Sequence, residues 1–246
     1  MFEDGLAKIG PGNFVFHPKF ASYIDKVQNM QLRSDDVWIR TFPRSGTTWT
    51  SELAWLIMND CNFEEATKVP LTYRSPNIDT NYFSNWETHA PPEMLQALIN
   101  MDKVEKMESP RVIKTHMPTY ILPPQMLGSC KAIYVARNPK DALVSFFYFH
   151  KLVKLCTFTG DMEQFAEYFM DNKLIWTPYF DTVLDAWSKK DHPNMLFLWY
   201  EDMKKDLPSE IRKIDKFAKN DSVNMSMEIK AGLGNPGHTF IRKGLS

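Results

Sequence analysis

Short apolar runs of strand type alternate with helix-like stretches along most of this 246-residue chain, and this alternation constrains its fold most strongly. It predicts parallel strands joined by helices, because a parallel connection needs a crossover that a helix normally provides. Strands are predicted over residues 36–42, 111–116, 131–137 and 195–200. Helices are predicted over residues 47–58, 93–106, 140–151, 162–170, 179–189 and 208–219, and mostly loop over 60–92. We therefore expect a three-layer α/β fold, with a central parallel sheet flanked by helices, formed by residues 1–246 as one domain.

Residues 41–49 (TFPRSGTTW) lie where the first predicted strand turns into a helix. The first N–H groups of a helix have no intrahelical partner, and the helix dipole adds partial positive charge, so such a corner suits phosphate. The corner also offers one cation and three hydroxyl groups, those of Arg44, Ser45, Thr47 and Thr48. The Walker A pattern is absent, which disfavours a nucleotide kinase or ATPase. The alternative is an ordinary turn in which a serine or threonine caps the helix.

Lys114 and His116 lie at the end of the second predicted strand, just before Pro118. In open α/β sheets, ligands bind beyond the carboxyl ends of the strands. Alternate residues of a strand point to the same face, so these two side chains are expected on one side. Histidine titrates near neutral pH and can act as a general base, while lysine supplies a cation. The alternative is a solvated lysine beside a histidine with a structural role.

Arg137 ends the third predicted strand, and Ser145 lies in the helix that follows. The planar guanidinium group matches the oxygens of a phosphate, and a nearby hydroxyl can complete the grip. This pair therefore predicts a second phosphate contact at the same edge of the sheet. The alternative is an ion pair between Arg137 and a surface acid such as Asp141.

Two glycine-containing segments near the C-terminus have different meanings. The run Arg242, Lys243 and Gly244 places two cations beside a permissive glycine, which suits a loop that closes over a phosphate; the alternative is a frayed basic tail. Residues 232–237 (GLGNPG) match the letters of a dinucleotide-binding fingerprint. That fingerprint needs a strand before it and a helix after it, and here a proline lies inside it. We therefore reject an NAD-binding interpretation.

The composition limits the kinds of ligand and partner that this protein can have. The net charge is −1, so an anionic ligand must be held by local cations, and nucleic acid is not an expected partner. The three cysteines are widely spaced without a C-x-x-C pair, which disfavours a disulfide framework and a zinc site. The first twelve residues lack a secretory signal, and no apolar run reaches membrane-spanning length. We expect a soluble cytoplasmic protein with no metal and no membrane partner.

Taken in order, the motifs PRSGTTW, IKTH, VARNPKDALVSFFYFHK, WYEDM and IRKG resemble those of the cytosolic sulfotransferase family. The resemblance runs from about residue 36 to about residue 217 and returns over the last residues. It implies the P-loop-NTPase-like sulfotransferase fold. It also implies transfer of a sulfuryl group from PAPS (3′-phosphoadenosine 5′-phosphosulfate) to a small hydroxylated acceptor, such as a phenol, steroid or alcohol. PAP, the desulfated nucleotide, would be the product, and no metal would be needed.

The same resemblance implies a role for each motif. His116 would take the proton of the acceptor hydroxyl, while Lys114 and Arg44 would neutralise charge on the sulfuryl group and the leaving phosphate. Phe149 would line an apolar acceptor pocket. The nucleotide would be held by Arg44, Ser45, Gly46, Thr47, Thr48 and Trp49 at the 5′-phosphosulfate, by Arg137, Ser145, Arg242, Lys243 and Gly244 at the 3′-phosphate, and by Tyr200.

Three departures from the family pattern stand out. The family usually has lysine at the position of Arg44. A helical stretch that carries part of the adenine site in the family is missing between segments like residues 211–220 and 223–244. The chain stops at Ser246 without the family's C-terminal dimer motif, so the resemblance leaves a homodimer open. We therefore expect a truncated or alternatively spliced form with weakened PAPS binding. The alternative function is a non-catalytic or weakly active relative with the sulfotransferase fold.

Overall fold

The computed structural model of the protein describes residues 5–79, 101–153 and 158–219. The strands in these residues are β1 (Ala7–Ile9), β2 (Phe14–Phe16), β3 (Val37–Thr41), β4 (Val112–Thr115), β5 (Lys131–Ala136) and β6 (Met195–Trp199). The first two form an antiparallel hairpin, and the other four form a parallel sheet in the order β4-β3-β5-β6. Each strand of the parallel sheet lies inside a predicted strand, which confirms the central sheet. The sequence pattern did not indicate the hairpin.

The α-helices of the described residues are α1 (Ile24–Gln28), α2 (Thr47–Met58), α3 (Phe63–Lys68), α4 (Leu71–Arg74), α5 (Met101–Lys106), α6 (Met126–Ser129), α7 (Pro139–Leu152), α8 (Met162–Met170), α9 (Tyr179–Trp187), α10 (Tyr200–Lys205) and α11 (Leu207–Lys219). Helices α2, α7, α8, α9 and α11 end within two residues of their predicted bounds. Of the helix predicted over 93–106, only the part from Met101 onward lies in the described residues. Short helices α3 and α4 lie in the stretch that was expected to be mostly loop.

The sheet separates two hydrophobic cores, because alternate strand residues point to opposite faces. Val37 and Ile39 face one core, together with buried residues of α2, α10 and α11. Trp38 faces the other core, which contains the hairpin and buried residues of α7, α8 and α9. Helices therefore cover both faces of the sheet, and the three-layer arrangement is confirmed.

At the amino edge of the sheet, Asp36 and Arg111 form a buried ion pair. Nε and Nη2 of Arg111 donate to the two carboxylate oxygens of Asp36 at 2.7 and 2.6 Å. The same guanidinium group donates to the carbonyl groups of Val104 and Gln31 at 3.2 and 2.9 Å. Charge and hydrogen-bonding capacity are both matched, as a buried ion pair requires. This edge carries a structural pair and no candidate site.

Parallel pairing brings the carboxyl ends of the strands to the opposite edge. In the register, Arg40 lies beside Thr115 on one side, and Thr41 lies beside Val135 on the other. The residues that follow β3, β4 and β5 therefore leave the sheet at neighbouring points. Ligand sites of open α/β sheets form at this edge.

Candidate functional site

The predicted corner connects the end of β3 to the start of α2. Gly46 is the N-cap of α2, and glycine has no side chain that could cap the helix. This argues against an ordinary turn in which a serine or threonine side chain caps the helix. Gly46 has a φ of 106°, and a Cβ atom there would lie 3.0 Å from the ring of Tyr200. Both the left-handed backbone and the close approach require glycine. Arg44 adopts a φ of 68°, a left-handed conformation that residues other than glycine adopt uncommonly.

The three hydroxyl groups of the corner have different surroundings. Thr48 is exposed, whereas Ser45 and Thr47 are buried. The Thr47 hydroxyl is hydrogen-bonded to the hydroxyl of Thr41 at 2.5 Å, which ties the start of α2 to the end of β3. The Ser45 hydroxyl has no hydrogen-bond partner among the residues that the structure describes.

Two further donors near the corner, like the Ser45 hydroxyl, lack a hydrogen-bond partner among the described residues. The indole N–H of Trp49 and the Nε of Arg137 are buried without a hydrogen-bond partner in the described part of the chain. Leaving a buried donor unsatisfied costs roughly 1–3 kcal/mol. A ligand with several acceptor oxygens would satisfy such donors, so the residues present fit an anionic nucleotide.

Arg44, Arg137 and Ser145 meet at the corner. Nη1 of Arg137 donates to the carbonyl of Arg44 at 2.8 Å, and Nε of Arg44 donates to the hydroxyl of Ser145 at 3.2 Å. The guanidinium of Arg44 also lies 5.6 Å from the ring centroid of Phe149, one turn further along α7. Within the described residues Arg137 forms no ion pair, with Asp141 or with any other acid. The expected alternative of a surface ion pair is therefore wrong.

Aromatic rings flank Arg137. Its guanidinium lies 4.5 Å from the ring centroid of Tyr200, and the ring of Tyr200 packs edge-to-face on Trp49 at 6.0 Å. A groove opens beside this stack, lined by Arg137, Asp141, Tyr200, Glu201, Lys204 and Lys205. Flat aromatic faces next to a guanidinium group suit a nucleobase and a phosphate.

His116 follows β4 and is partly exposed. Its Nδ1 lies 2.9 Å from the carbonyl oxygen of Thr41. A carbonyl can only accept, so Nδ1 carries the proton and Nε2 keeps its lone pair. Burial, against the opposing effect of the Thr41 hydrogen bond and with a smaller contribution from the charges of Lys114 and Arg44, lowers the pKa of His116 to about 4. The imidazole is therefore neutral at pH 7.

Lys114 is buried close to an ion pair formed by two other residues. Burial lowers the pKa of Lys114 to about 8; the charge of Glu52 raises it and that of Arg74 lowers it. Arg74 and Glu52 are themselves paired at 2.9 Å, and the guanidinium of Arg74 lies 4.4 Å from the ring centroid of Trp55. Lys114 makes no ion pair with the described residues. Its charge is one of the smaller causes that lower the pKa of His116.

Two residues that the sequence pattern did not indicate lie next to His116. The carboxylate of Asp79 accepts a hydrogen bond from the backbone N–H of His116 at 2.6 Å. The ring of Trp176 packs edge-to-face on the imidazole at 5.7 Å. Asp79 falls in the stretch expected to be loop, and Trp176 lies in the connection between α8 and α9. No local motif marks either residue, since only the fold brings them to β4.

The structure thus gathers most of the predicted site at one edge of the sheet. Arg242, Lys243 and Gly244 lie outside the described residues, as does the segment 232–237. The described residues contain no group of three or more histidine, cysteine, aspartate or glutamate side chains that could hold a metal ion. None of the described helices combines the length and the apolar character needed to cross a membrane.

Comparison with known proteins links this geometry to a family. The sulfotransferase domain family matches residues 34–230 of the chain. Sulfotransferase 1 family member D1 of Rattus norvegicus is 36% identical over 198 residues, which cover 80% of this chain and 63% of the relative. Sulfotransferase 1C2 of Homo sapiens is 35% identical over 193 residues, which cover 78% of this chain and 61% of the relative. The chain therefore spans less than two thirds of the length of these relatives.

Two solved structures have folds similar to that of this chain. A crystal structure of retinol dehydratase in complex with androsterone and the inactive cofactor PAP is 33% identical, with a TM-score of 0.83, over 94% of this chain and 72% of that one. A second, of retinol dehydratase with retinol and PAP, is 31% identical, with a TM-score of 0.82, over 100% of this chain and 84% of that one.

Proposed function

Because the chain belongs to the cytosolic sulfotransferase family, we propose that it transfers a sulfuryl group from PAPS to the hydroxyl of a small apolar acceptor. The acceptor oxygen forms a bond to sulfur while the bond between sulfur and the 5′-phosphate oxygen breaks, which gives a sulfate ester and PAP. As in phosphoryl transfer, the protein contributes positioning and fixed positive charge. PAPS is a substrate in this scheme, and no metal takes part.

One observation carries the proposal: the cations that follow β3 and β5 contact each other, and the base that follows β4 is bonded to the last residue of β3. Arg137 is bonded to the Arg44 carbonyl at 2.8 Å, and Arg44 to Ser145 at 3.2 Å. His116 is bonded to the carbonyl of Thr41, the last residue of β3, at 2.9 Å. A donor with a phosphosulfate at one end and a 3′-phosphate at the other needs such a cluster of cations beside a proton acceptor.

In this proposal, His116 removes the proton of the acceptor hydroxyl. Its Nδ1–H is engaged by the Thr41 carbonyl, so the lone pair of Nε2 is the one that accepts. A pKa of about 4 keeps the ring unprotonated at neutral pH, which is the form that a base needs. General-base catalysis contributes roughly 10²–10⁴-fold in rate.

The cations stabilise the charge that develops during transfer. Arg44 and Lys114 face the sulfuryl group and the leaving 5′-phosphate in the proposal, while Arg137 and Ser145 hold the 3′-phosphate. The helix N-terminus at Gly46 adds backbone N–H donors. Removing one preorganised donor of this kind typically raises a barrier by about 3 kcal/mol.

An aromatic wall beside the base supports an apolar acceptor. The ring of Trp176 packs on His116 and lies 6.4 Å from the ring of Phe149, which stacks on Phe146 at 6.2 Å. An acceptor with a flat apolar body and one hydroxyl could rest on this wall and present its oxygen to Nε2 of His116.

The test is a transfer assay that uses PAPS with a radiolabelled sulfuryl group and a panel of phenols, steroids and alcohols as acceptors. Heat-treated protein is the control. Calorimetric titration with PAP accompanies it. Transfer that requires both PAPS and acceptor supports the proposal. Absence of transfer together with no detectable PAP binding at high concentration would favour the alternative of a non-catalytic relative. Tighter binding of ATP than of PAP would favour a nucleotide kinase.

A second candidate reaction follows from the likeness to retinol dehydratase. The sulfated acceptor would lose sulfate and a proton, which gives an alkene instead of a stable ester. Mass spectrometry of the products from retinol and androsterone separates the two reactions: a mass gain from the added sulfuryl group indicates the ester, and a mass loss equal to one water indicates elimination.

A further inference from the structure

The backbone of residues 75–79 runs beside β4 and delivers Asp79 to its carboxyl end. The N–H of Lys114 donates to the carbonyl of Pro76 at 2.9 Å, and the N–H of Ile78 donates to the carbonyl of Lys114 at 3.1 Å. This short parallel pairing extends the sheet past β4. The side chain of Asn77 accepts from the N–H of Asp79 at 2.8 Å, which fixes the turn at the end of the segment.

The Asp79 carboxylate is fully buried, and its two oxygens have different donors. Oδ1 accepts from the hydroxyl of Thr115 at 2.5 Å, and Oδ2 accepts from the N–H of His116 at 2.6 Å. The Trp176 side chain is one of the groups that lower the pKa of this carboxylate. One acid therefore contacts the side chain of Thr115 and the backbone of His116 at the end of β4.

Burying an ionised carboxylate at this position costs free energy, because the charge loses its hydration. Burial raises the pKa of Asp79 to about 6, although the hydrogen bonds from Thr115 and His116 and the effect of Trp176 counteract that rise. A neutral asparagine could accept the same backbone hydrogen bond without the desolvation of a charge. Stability alone therefore does not explain why the residue is an aspartate.

We propose that Asp79 is a positioning residue for His116: it fixes the orientation of the imidazole through the His116 N–H and the Thr115 hydroxyl. The inference rests on the proposed function of His116 as the base. Asp79 takes no proton from the imidazole, because Nδ1 is engaged by Thr41. Its effect is to hold Nε2 where the acceptor hydroxyl must arrive, since small displacements of a catalytic group can lower the rate by about 10²-fold.

The first test compares steady-state kinetics of Asp79→Ala and Asp79→Asn with those of the unchanged protein. We expect Asp79→Ala to lower kcat by roughly ten- to a hundredfold, with the acceptor KM and the PAP affinity within about threefold. Asp79→Asn keeps one acceptor and should recover part of the rate. If Asp79→Ala does not fold, the Asp79→Asn kinetics decide the matter: an unchanged kcat would overturn the proposal.

The chain offers a matched control in Asp185. Its carboxylate accepts from the N–H and the hydroxyl of Thr119 at 3.1 and 2.5 Å, which is the same kind of anchor three residues after His116. Asp185→Asn should leave kcat within about twofold when stability is matched by temperature. An equal loss of kcat in the Asp79 and Asp185 variants would show that Asp79 acts only on stability.

A second readout does not depend on activity. Nitrogen NMR of ¹⁵N-histidine-labelled protein should show the Nδ1–H tautomer for His116, and Asp79→Ala should broaden the signal or mix the tautomers. If no acceptor is sulfated, the proposed function fails, while this spectrum still tests whether Asp79 holds the ring. A His116 signal that is identical in both proteins would overturn the positioning role.

Discussion

The two edges of the central sheet differ in how their cations are partnered. At the amino edge, Arg111 donates to both carboxylate oxygens of Asp36, at 2.7 and 2.6 Å, and to two backbone carbonyl groups. At the carboxyl edge, Arg137 donates to the carbonyl of Arg44, and within residues 5–79, 101–153 and 158–219 neither Arg137 nor Lys114 forms an ion pair.

The pairing of the cations indicates the role of each edge. A buried cation with a matched acid adds to the integrity of the fold, whereas cations that form no ion pair with the described residues, such as Arg137 and Lys114, repel other cations nearby and weaken the folded state. The packing of the rest of the chain supports them, and an anion that comes from outside would neutralise them. The amino edge therefore contributes to stability, and in the proposed function the carboxyl edge binds the ligand.

The largest effect should follow from breaking the pair at the amino edge. Arg111→Met leaves Asp36 buried without a partner, and we expect the free energy of unfolding to fall by about 3–5 kcal/mol. Arg137→Met should change it by less than about 1 kcal/mol, because no buried acid is left behind. Urea unfolding followed by circular dichroism measures both. Equal losses in the two variants would contradict the division of roles.

The double variant Asp36→Leu/Arg111→Met is the control for this measurement. It removes both charges together, so most of the stability lost in Arg111→Met should return. A double variant as unstable as Arg111→Met would mean that the guanidinium hydrogen bonds to Val104 and Gln31, and not the unpaired acid, account for the loss.

At the carboxyl edge, the largest effect should fall on rate and not on stability. His116→Ala removes the proposed base, so the transfer rate should fall by roughly 10²–10⁴-fold. PAP affinity should stay within about threefold, because His116 has no contact with the nucleotide in the proposal. Single-turnover transfer and calorimetry measure the two quantities. A large fall in PAP affinity would show that His116 has a different role.

The sequence predicted the carboxyl edge better than the amino edge. Arg137 and His116 each follow a strand directly, and Arg44 comes three residues after the end of β3. Parallel pairing brings such positions together without further information. Gly46 was recognisable from its place between a strand and a helix. The pair of Asp36 and Arg111 was not recognisable, because neither residue belongs to a motif and 75 positions separate them in the chain.

The residues around the base show why the rest could not be predicted. Asp79 reaches His116 because residues 75–79 pair with β4, and nothing in their sequence indicates such a pairing. Trp176 reaches the imidazole from a connection in which its own φ is 66°, a left-handed conformation that tryptophan rarely adopts. Tertiary packing decides both positions, and a single sequence carries no local signal for either.

A smaller effect is expected when Arg137 loses its fork but keeps its charge. Arg137→Lys replaces a planar guanidinium by a point charge, so PAP affinity should fall by about 1.5–3 kcal/mol, the value of a hydrogen bond to a charged group. Arg212→Lys, at an exposed position of α11, is the matched control and should leave the affinity unchanged. Calorimetric titration measures both. Undiminished PAP affinity in Arg137→Lys would remove Arg137 from the nucleotide site.

The smallest effect is the dependence of kcat/KM on pH. It distinguishes a role of Lys114 in transfer from a purely structural role. Its pKa of about 8 means that the ammonium loses its charge as pH rises through 8, so kcat/KM for PAPS should fall about tenfold per pH unit above that value. Unfolding cannot cause this fall. The folded protein binds fewer protons at Lys114 than the unfolded chain between pH 8 and the ordinary value of 10.5, so this group's contribution to stability rises with pH.

Lys114→Arg tests the assignment, because arginine keeps its charge throughout this range. The alkaline fall in kcat/KM should vanish in Lys114→Arg and persist in Lys140→Arg, a substitution at an exposed position of α7. On the acid side, Asp79 gains its proton first, near pH 6, and His116 only near pH 4, so the rate should begin to fall below pH 6. An alkaline fall that survives in Lys114→Arg would assign it to another group, and the carboxyl edge would then need one cation fewer for transfer than its geometry indicates.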